Sequence, residues 1–372
     1  MSETTNDTWI LGAAGRSGTA IATELANMGL SMTFVGRNVE TLKKAARDLN
    51  VAVEIVAAST IEEMATAISR RKPRIVINTI GPFASTAVSI VNACPPGTHY
   101  LDIGNELPAF LSLFAMSDQL VRTGRCIVPG AGWGVLGTES VVLKLCEGRP
   151  PAAKVRVDSV ASVNASGPLG LTLAQTIVEG IPYGGRRYAG GKLTQALAGD
   201  DEEKFTLPDG STAVTRLIAS GELEAARRAS GAPGVVAGFP AAPGGLIRFL
   251  IPAVAPLLSI SAVRRFATAK LAKLVPPPSK TEVSWARARV EWPDGLVRVG
   301  WLRAGDGYAF LAKASARVAQ RLLHGEGQPG CFTPGALFGT QLAIEAGGAF
   351  VLHEELTSRK SDVAMPQKRA FV

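Results

Sequence analysis

The sequence predicts an α/β protein: an N-terminal Rossmann unit with a doubly wound parallel sheet, followed by a second α+β unit. Three observations carry that expectation. The apolar run Trp9-Ile10-Leu11 leads straight into GAAGRSG, strand and helix patterns then alternate as far as Val128, and the β-branched run RIVINTI stops hard on Gly81-Pro82. Such alternation builds βαβ units, in which helices cross between parallel strands.

The glycine loop comes first. Gly12, Gly15 and Gly18 stand three apart, and the spacing predicts a helix from Ser17 to Met28 and a second strand from Met32 to Val35. Missing β-carbons in such a turn let pyrophosphate approach the backbone and the helix N-terminus, whose dipole favours anions. Ala14, Arg16 and Ser17 complete the loop as candidate cofactor contacts. With 40 glycines in the chain the triplet counts only through this strand-turn-helix setting. An NAD site usually ends its second strand on a carboxylate for the ribose 2′-hydroxyl, whereas this strand ends on Gly36, Arg37 and Asn38 with no carboxylate before Glu40. NADP(H) is therefore the expected cofactor. Arg37 would fork onto the 2′-phosphate next to Asn38, with Arg16 as a second cation; the alternative is an ordinary solvated arginine.

The alternation continues. Helices are expected at Val39 to Leu49 and at Ser59 to Arg70, the latter with Glu62 and Glu63 in its first turn, and a strand at Val51 to Val56. Arg74 to Ile80 reads as a strand whose carboxyl end, Gly81, Pro82 and Phe83, lies where ligands bind in doubly wound sheets; these three are further cofactor candidates. A helix at Ala84 to Ala93 and strands at Thr98 to Ile103 and Arg125 to Val128 complete six parallel strands. A helix at Val135 to Leu145 precedes Pro150-Pro151, which marks a boundary between units 1–150 and 151–372. Beyond it stand a strand at Lys154 to Val163, a helix at Leu171 to Glu179, and a helix at Ala309 to Leu323. Long strands at Thr281 to Trp292 and Leu296 to Arg303 flank the hairpin signal Pro293-Asp294-Gly295.

A length of 372 residues is long for a single core, and 47% hydrophobic against 19% charged residues excludes a disordered chain. The four cysteines are dispersed without a C-x-x-C pair, so neither a metal site nor a disulfide framework is expected, and a reduced cytoplasmic setting fits. MSETTNDTW lacks the basic and apolar regions of a secretory signal. A net charge of +8 without a long basic run points to anionic cofactors or acidic surfaces rather than to nucleic acid.

With GAAGRSG, INTIGPF, GTHYLDIGNE and GAGWG in order, and GDGYAFLAKASARVAQRLL before GQPGCFTPGALFG, the chain resembles the saccharopine dehydrogenase-like oxidoreductases, including their trans-acting enoyl reductases. Residues 200 to 275 carry the resemblance least. It implies an NADP-binding Rossmann domain, a second α+β domain covering the nicotinamide, and a cofactor cleft faced by INTIGPF and GTHYLDIGNE. Where relatives commonly read GFDSVPSD this chain reads GWGVLGTE, with Glu139 in place of the Asp and a polar cluster lost.

Hydride transfer needs little beyond the cofactor and one proton donor. His99, Tyr100, Asp102 and Glu106 form the densest titratable cluster near a predicted strand end, where a His or Tyr oriented by a carboxylate would protonate a carbanion or amine. The same residues would equally serve to hold the loop by hydrogen bonds. Tyr188 and Lys192 have the Y-x-x-x-K spacing of a catalytic helix, but Gly190-Gly191 between them argues against one. The apolar segment 234–275 is broken by Arg248, Pro252 and Pro256, so it does not read as a transmembrane helix. It reads either as an apolar lid or membrane-surface segment with Arg264, Arg265, Lys270 and Lys273 at headgroups, or as helices buried in the second unit and its dimer contact.

The expected activity is an NADPH-dependent reduction of a C=C bond, foremost an enoyl group, or of a C=N bond in a largely apolar, polyketide- or lipid-like substrate. Its expected partners are that small molecule, a membrane surface or acyl carrier, and a second copy in a homodimer. A saccharopine- or opine-type dehydrogenase would need cations for its substrate's carboxylates, and the cleft motifs show no clear arginine cluster. A non-catalytic NADP(H)-binding sensor or scaffold is the alternative from a different class.

Overall fold

The computed structural model describes residues 8–163, 167–275, 282–352 and 356–357. Its first part alternates as β1 (Thr8–Leu11), α1 (Arg16–Asn27), β2 (Met32–Gly36), α2 (Val39–Asp48), β3 (Glu54–Ala57), α3 (Ile61–Arg71), β4 (Ile75–Asn78), α4 (Phe83–Ala93), β5 (His99–Asp102), α5 (Leu107–Ala115), α6 (Ser117–Arg122), β6 (Cys126–Val128) and α7 (Trp133–Cys146). The strands are apolar on both faces, as a parallel sheet covered on both sides requires. Ile10, Ile77, Leu101 and Val128 pack on one side with Ile21 and Leu25 of α1, whereas Leu11, Val76, Tyr100 and Ile127 pack on the other with Ile68 of α3 and Ile90 of α4. Caps start the helices: Asn38 accepts the Thr41 N–H, and Thr60 accepts the Glu63 N–H while the Glu63 carboxylate reaches back to the Ser59 N–H. α5 and α6 occupy a stretch to which periodicity assigns no element, because LPAFLSLFA is apolar nearly all round.

Past Pro150-Pro151 the chain builds β7 (Lys154–Val160), α8 (Leu171–Gly180), β8 (Gly185–Ala189), β9 (Lys192–Ala196), β10 (Glu203–Thr206), β11 (Thr212–Leu217), α9 (Gly221–Ser230), β12 (Gly234–Phe239), α10 (Ile247–Val254), α11 (Ser261–Ala272), β13 (Ser284–Glu291) and β14 (Leu296–Ala304). It then continues through α12 (Gly307–Leu323), β15 (Gly330–Cys331), α13 (Pro334–Phe338), α14 (Gln341–Glu345), β16 (Ala349–Leu352) and β17 (Leu356–Thr357). The first sheet runs β15-β6-β5-β4-β1-β2-β3, with every pair parallel, and the second runs β10-β11-β12-β7-β13-β14-β16.

Residues 307–331, which the sequence boundary places in the second unit, thus return to the first. α12 lies beside α1, and β15 pairs with β6, which would otherwise be an open edge. The boundary at 150/151 marks where the chain leaves the first layer and not where that layer ends. α7, buried on almost every side, joins the layers: Gly137 faces Ala286 of β13, and Val141 and Leu145 face Gly300 of β14. The hairpin at Pro293-Asp294-Gly295 forms, with Gly295 at φ +83° and the Trp292 N–H donating to Leu296 O at 2.9 Å. Tyr188 and Lys192 lie on opposite strands of the β8–β9 hairpin, and Tyr188 donates to Glu224 at 2.6 Å.

Candidate cofactor cleft and active site

In this strand order the chain leaves β1 and β4 toward opposite faces, so a crevice opens between their carboxyl ends. The glycine loop closes it at one rim, with the Gly12 N–H donating to Val35 O and the Gly15 N–H to Gly12 O, each at 2.9 Å. Its three glycines answer different demands. Gly12 sits at φ +78°, and a Cβ there would lie 2.8 Å from Thr79 Oγ1; a Cβ on Gly18 would lie 2.4 Å from Gly12 O, so α1 leaves β1 this closely only with glycine. Gly15 is exposed, and its Cβ would meet nothing nearer than Gly12 O at 3.1 Å. The space outside it is open, as a pyrophosphate requires.

Ala14 and Arg16 are exposed beside Gly15, and Ser17 is half-buried. The Arg16 guanidinium lies 5.6 Å from the ring centroid of Tyr308, which the return of α12 brings to the loop. Arg37 is exposed just past β2 and has no ion-pair partner among the described residues, whereas Asn38 Oδ1 is occupied in capping α2. At the end of β4, Gly81 lies under α8, where a Cβ would stand 2.9 Å from Thr176 Oγ1. Pro82 and Phe83 are buried, and the Phe83 ring fills the space over Gly104. These two shape the cleft floor rather than offering side chains to a cofactor.

The four residues expected to supply a proton are separated. His99 starts β5 at its amino end, three residues or about 10 Å from Asp102, on the side away from the crevice. Its Nδ1 accepts the Cys126 N–H at 3.0 Å, and burial, with Arg74 second, lowers its pKa. The assignment of His99 as donor is therefore corrected: only the carboxyl end of a parallel strand meets the crevice. Tyr100 is fully buried, donating to Asp102 Oδ2 at 2.8 Å and accepting from Asn78 Nδ2 at 3.2 Å; burial first, then Asp102, raises its pKa well above the usual value. Burial pushes Asp102 up to about 6 although its carboxylate also accepts the Gly104 and Gly130 N–H groups. Tyr100 and Asp102 thus fasten the ends of β4, β5 and β6 together.

Glu106 alone of the four lies at the carboxyl rim with part of its surface exposed. Its oxygens accept the Phe83 and Ala84 N–H groups, both at 2.8 Å, at the start of α4. Burial raises its pKa against the pull of those donors, and Thr176 and Glu179 of α8 face it.

No family model matches the chain. A "Lipid droplet localized protein" of Caenorhabditis elegans is 29% identical over 142 residues, covering 34% of this chain, which spans about a third (33%) of that relative's length. Saccharopine dehydrogenase (L-Glu forming) from Saccharomyces cerevisiae superposes with a TM-score of 0.57 over 93% of this chain and 99% of its own, at 11% identity. The fold is that of saccharopine dehydrogenase. L-sorbose reductase from Gluconobacter frateurii, solved with NADPH and L-sorbose, matches 34% of this chain and 68% of its own with a TM-score of 0.29 at 13% identity, too little to bear on the site.

Within the saccharopine dehydrogenase fold, the rim holds residues that sequence reasoning missed. Asn105 donates from Nδ2 to Glu222 Oε1 at 2.9 Å and accepts the Gly221 N–H at 3.0 Å. Glu222 is 3% exposed, burial raises its pKa, and a Cβ on Gly134 would stand 2.3 Å from its Oε1. No local signal reveals a pair 117 residues apart. Glu139 faces away from the crevice: fully buried, it accepts the Thr333 hydroxyl and the Gly335 and Ala336 N–H groups, bracing α13, while burial pushes its pKa up to about 7.

Proposed function

We propose that the chain is an NADPH-dependent reductase that delivers hydride to a C=C bond, foremost of an enoyl group, or to a C=N bond, in a largely apolar, lipid- or polyketide-like substrate. The observation that carries this reading is the open backbone at Gly15 together with an exposed Arg37 that has no ion-pair partner among the described residues, both at the switch point of a parallel sheet. Gly12 to Gly18 would hold the pyrophosphate and Arg37 the 2′-phosphate, with Arg16 beside them. When bound, the dinucleotide supplies the hydride. The chain's part is to bind and orient it, with Gly81, Phe83 and Gly104 as the floor beneath the nicotinamide and α8 as the wall that excludes water.

A second reading, a protein that binds NADP(H) without turnover, is favoured by one observation: the carboxylates of Asp102, Glu106 and Glu222 all hold backbone or loop groups. Mixing the protein with NADPH and a panel of enoyl thioesters, cyclic imines and keto acids with amines separates the readings. Loss of nicotinamide absorbance with an enoyl thioester is the expected result. Consumption only with a keto acid and amine would make it an opine-type dehydrogenase, and tight binding without consumption of any substrate would make it a sensor.

A further inference from the structure

The segment from 241 to 275 contains no Asp or Glu and five cations: Arg248, Arg264, Arg265, Lys270 and Lys273. It folds as α10, a short 3-10 turn and α11, and most of its large apolar side chains face out rather than in. Leu246 is 82% exposed, Leu250 61% and Phe266 65%, and Phe249, Leu257 and Ile260 lie with them on the surface. The expectation that these helices are buried in the second unit is thereby corrected. The cost of leaving such an apolar patch in water marks it as a contact surface.

Two features say what it contacts. The two helical arms, Arg248–Ser259 and Ser261–Ala272, meet at 118°, and among the described residues no single helix is long and apolar enough to cross a membrane. Two short arms with an apolar face and Lys and Arg beside it have the composition of helices that lie in an interface plane. Three cations border this face in the open, Lys270 with its Nζ 5.6 Å from the Phe266 ring centroid and Arg265 and Lys273 exposed, while Arg248, 4.7 Å from the Phe249 ring centroid, is paired with Asp200. Ammonium and guanidinium groups beside an apolar face, with no carboxylate in the segment, complement acidic headgroups over acyl chains.

We propose that α10, its 3-10 extension and α11 form the surface by which the protein docks on an anionic lipid interface. Behind them lies a cavity of about 890 Å³, lined by Val178, Ile181, Ile251, Leu258 and Arg264 among others. It lies between α8 and α10 with its 3-10 extension, while α11 packs directly on α8, whose Thr176 faces Gly81 at the cleft. A lipid tail leaving the interface thus finds apolar room one helix away from the nicotinamide end; this last step rests on the reduction proposed above, whereas the docking does not.

Sedimentation with vesicles tests the docking without cofactor or substrate. The protein is expected to bind phosphatidylcholine vesicles containing phosphatidylserine, and to bind pure phosphatidylcholine at least about tenfold more weakly. Phe249→Ser with Phe266→Ser, and separately Arg265→Glu with Lys270→Glu, should each lower the partition coefficient by about tenfold or more, with thermal unfolding and NADPH binding unchanged. Equal binding by these variants, or no binding to either vesicle, overturns the proposal. So does a solution dimer that dissociates on Phe249→Ser with Phe266→Ser, because the face would then be covered by a second copy.

Discussion

The crevice has two rims, and they are built on opposite principles. At the β1–β2 rim Gly15 is open and Arg16 and Arg37 are exposed without an ion-pair partner among the described residues. At the β5–β6 rim most titratable groups are occupied: Tyr100 by Asp102, Asp102 by two N–H groups and Glu106 by two more, while Glu222 is held by Asn105 through Oε1 and its buried Oε2 has no hydrogen-bond partner among the described residues. The difference teaches where the chemistry resides. On the function proposed above, the first rim would grip an anion through its exposed guanidinium groups, and the second would serve as a floor, most of whose polar groups are held internally, that keeps a bound cofactor at a fixed height.

The largest expected effect separates the glycines of the open rim. Gly15→Val should abolish NADPH binding while leaving the unfolding midpoint nearly unchanged, whereas Gly18→Val, with its Cβ forced to 2.4 Å from Gly12 O, should cost about 3 kcal/mol or more of stability. Thermal unfolding and NADPH fluorescence on the same samples decide it. A Gly15→Val protein that binds NADPH normally would remove the open rim from consideration. Next, Arg37→Ala should weaken NADPH by about tenfold to a hundredfold, the worth of a charged hydrogen bond of about 1.5 to 3 kcal/mol, and leave NADH unchanged. Equal titrations of the two cofactors by the unmodified protein would end the preference for NADP.

The satisfied side of the molecule predicts a pH effect. Glu139 and Asp102 have pKa values raised by burial, to about 7 from 4.5 and to about 6 from 3.8, so the folded state binds protons more tightly than the unfolded chain. Their contribution is full below about pH 4 and is lost as pH rises through about 6 and 7. Urea midpoints should therefore fall between about pH 5 and pH 7.5, and Glu139→Gln should flatten part of that slope. A slope unchanged by Glu139→Gln would place the titration elsewhere. The smallest effect belongs to His99→Ala, which removes the acceptor for the Cys126 N–H and should cost about 1 kcal/mol of stability with no change in turnover. A drop in kcat of a hundredfold would return His99 to the chemistry.

The legible parts of the fold were those written in local periodicity. The six strands before Val128 and their order of appearance follow from apolar runs and turn residues, and the glycine loop from the spacing of Gly12, Gly15 and Gly18. α5 and α6 were not legible, because an apolar stretch buried on most sides has no helical stripe to read. The cluster GTHYLDIGNE is legible but its direction is not: four adjacent residues in a strand look alike in sequence, yet His99 stands at the amino end of β5 and Asp102 at its carboxyl end.

What the sequence by itself determined is therefore the nucleotide layer: strand, tight turn and helix are set by contacts within a few residues, and so is the absence of a carboxylate at the end of β2. The tertiary structure alone decided which groups are free. Partners far apart along the chain hold carboxylates in place, Asn105 that of Glu222 through one oxygen and Thr333 that of Glu139, and β15 returns across the whole second unit to cover the edge of β6. It also decided that the apolar residues of α10 and α11 face outward. Hydrophobicity fixes how much surface seeks cover, but only the packing of the whole chain shows which surface is left without it.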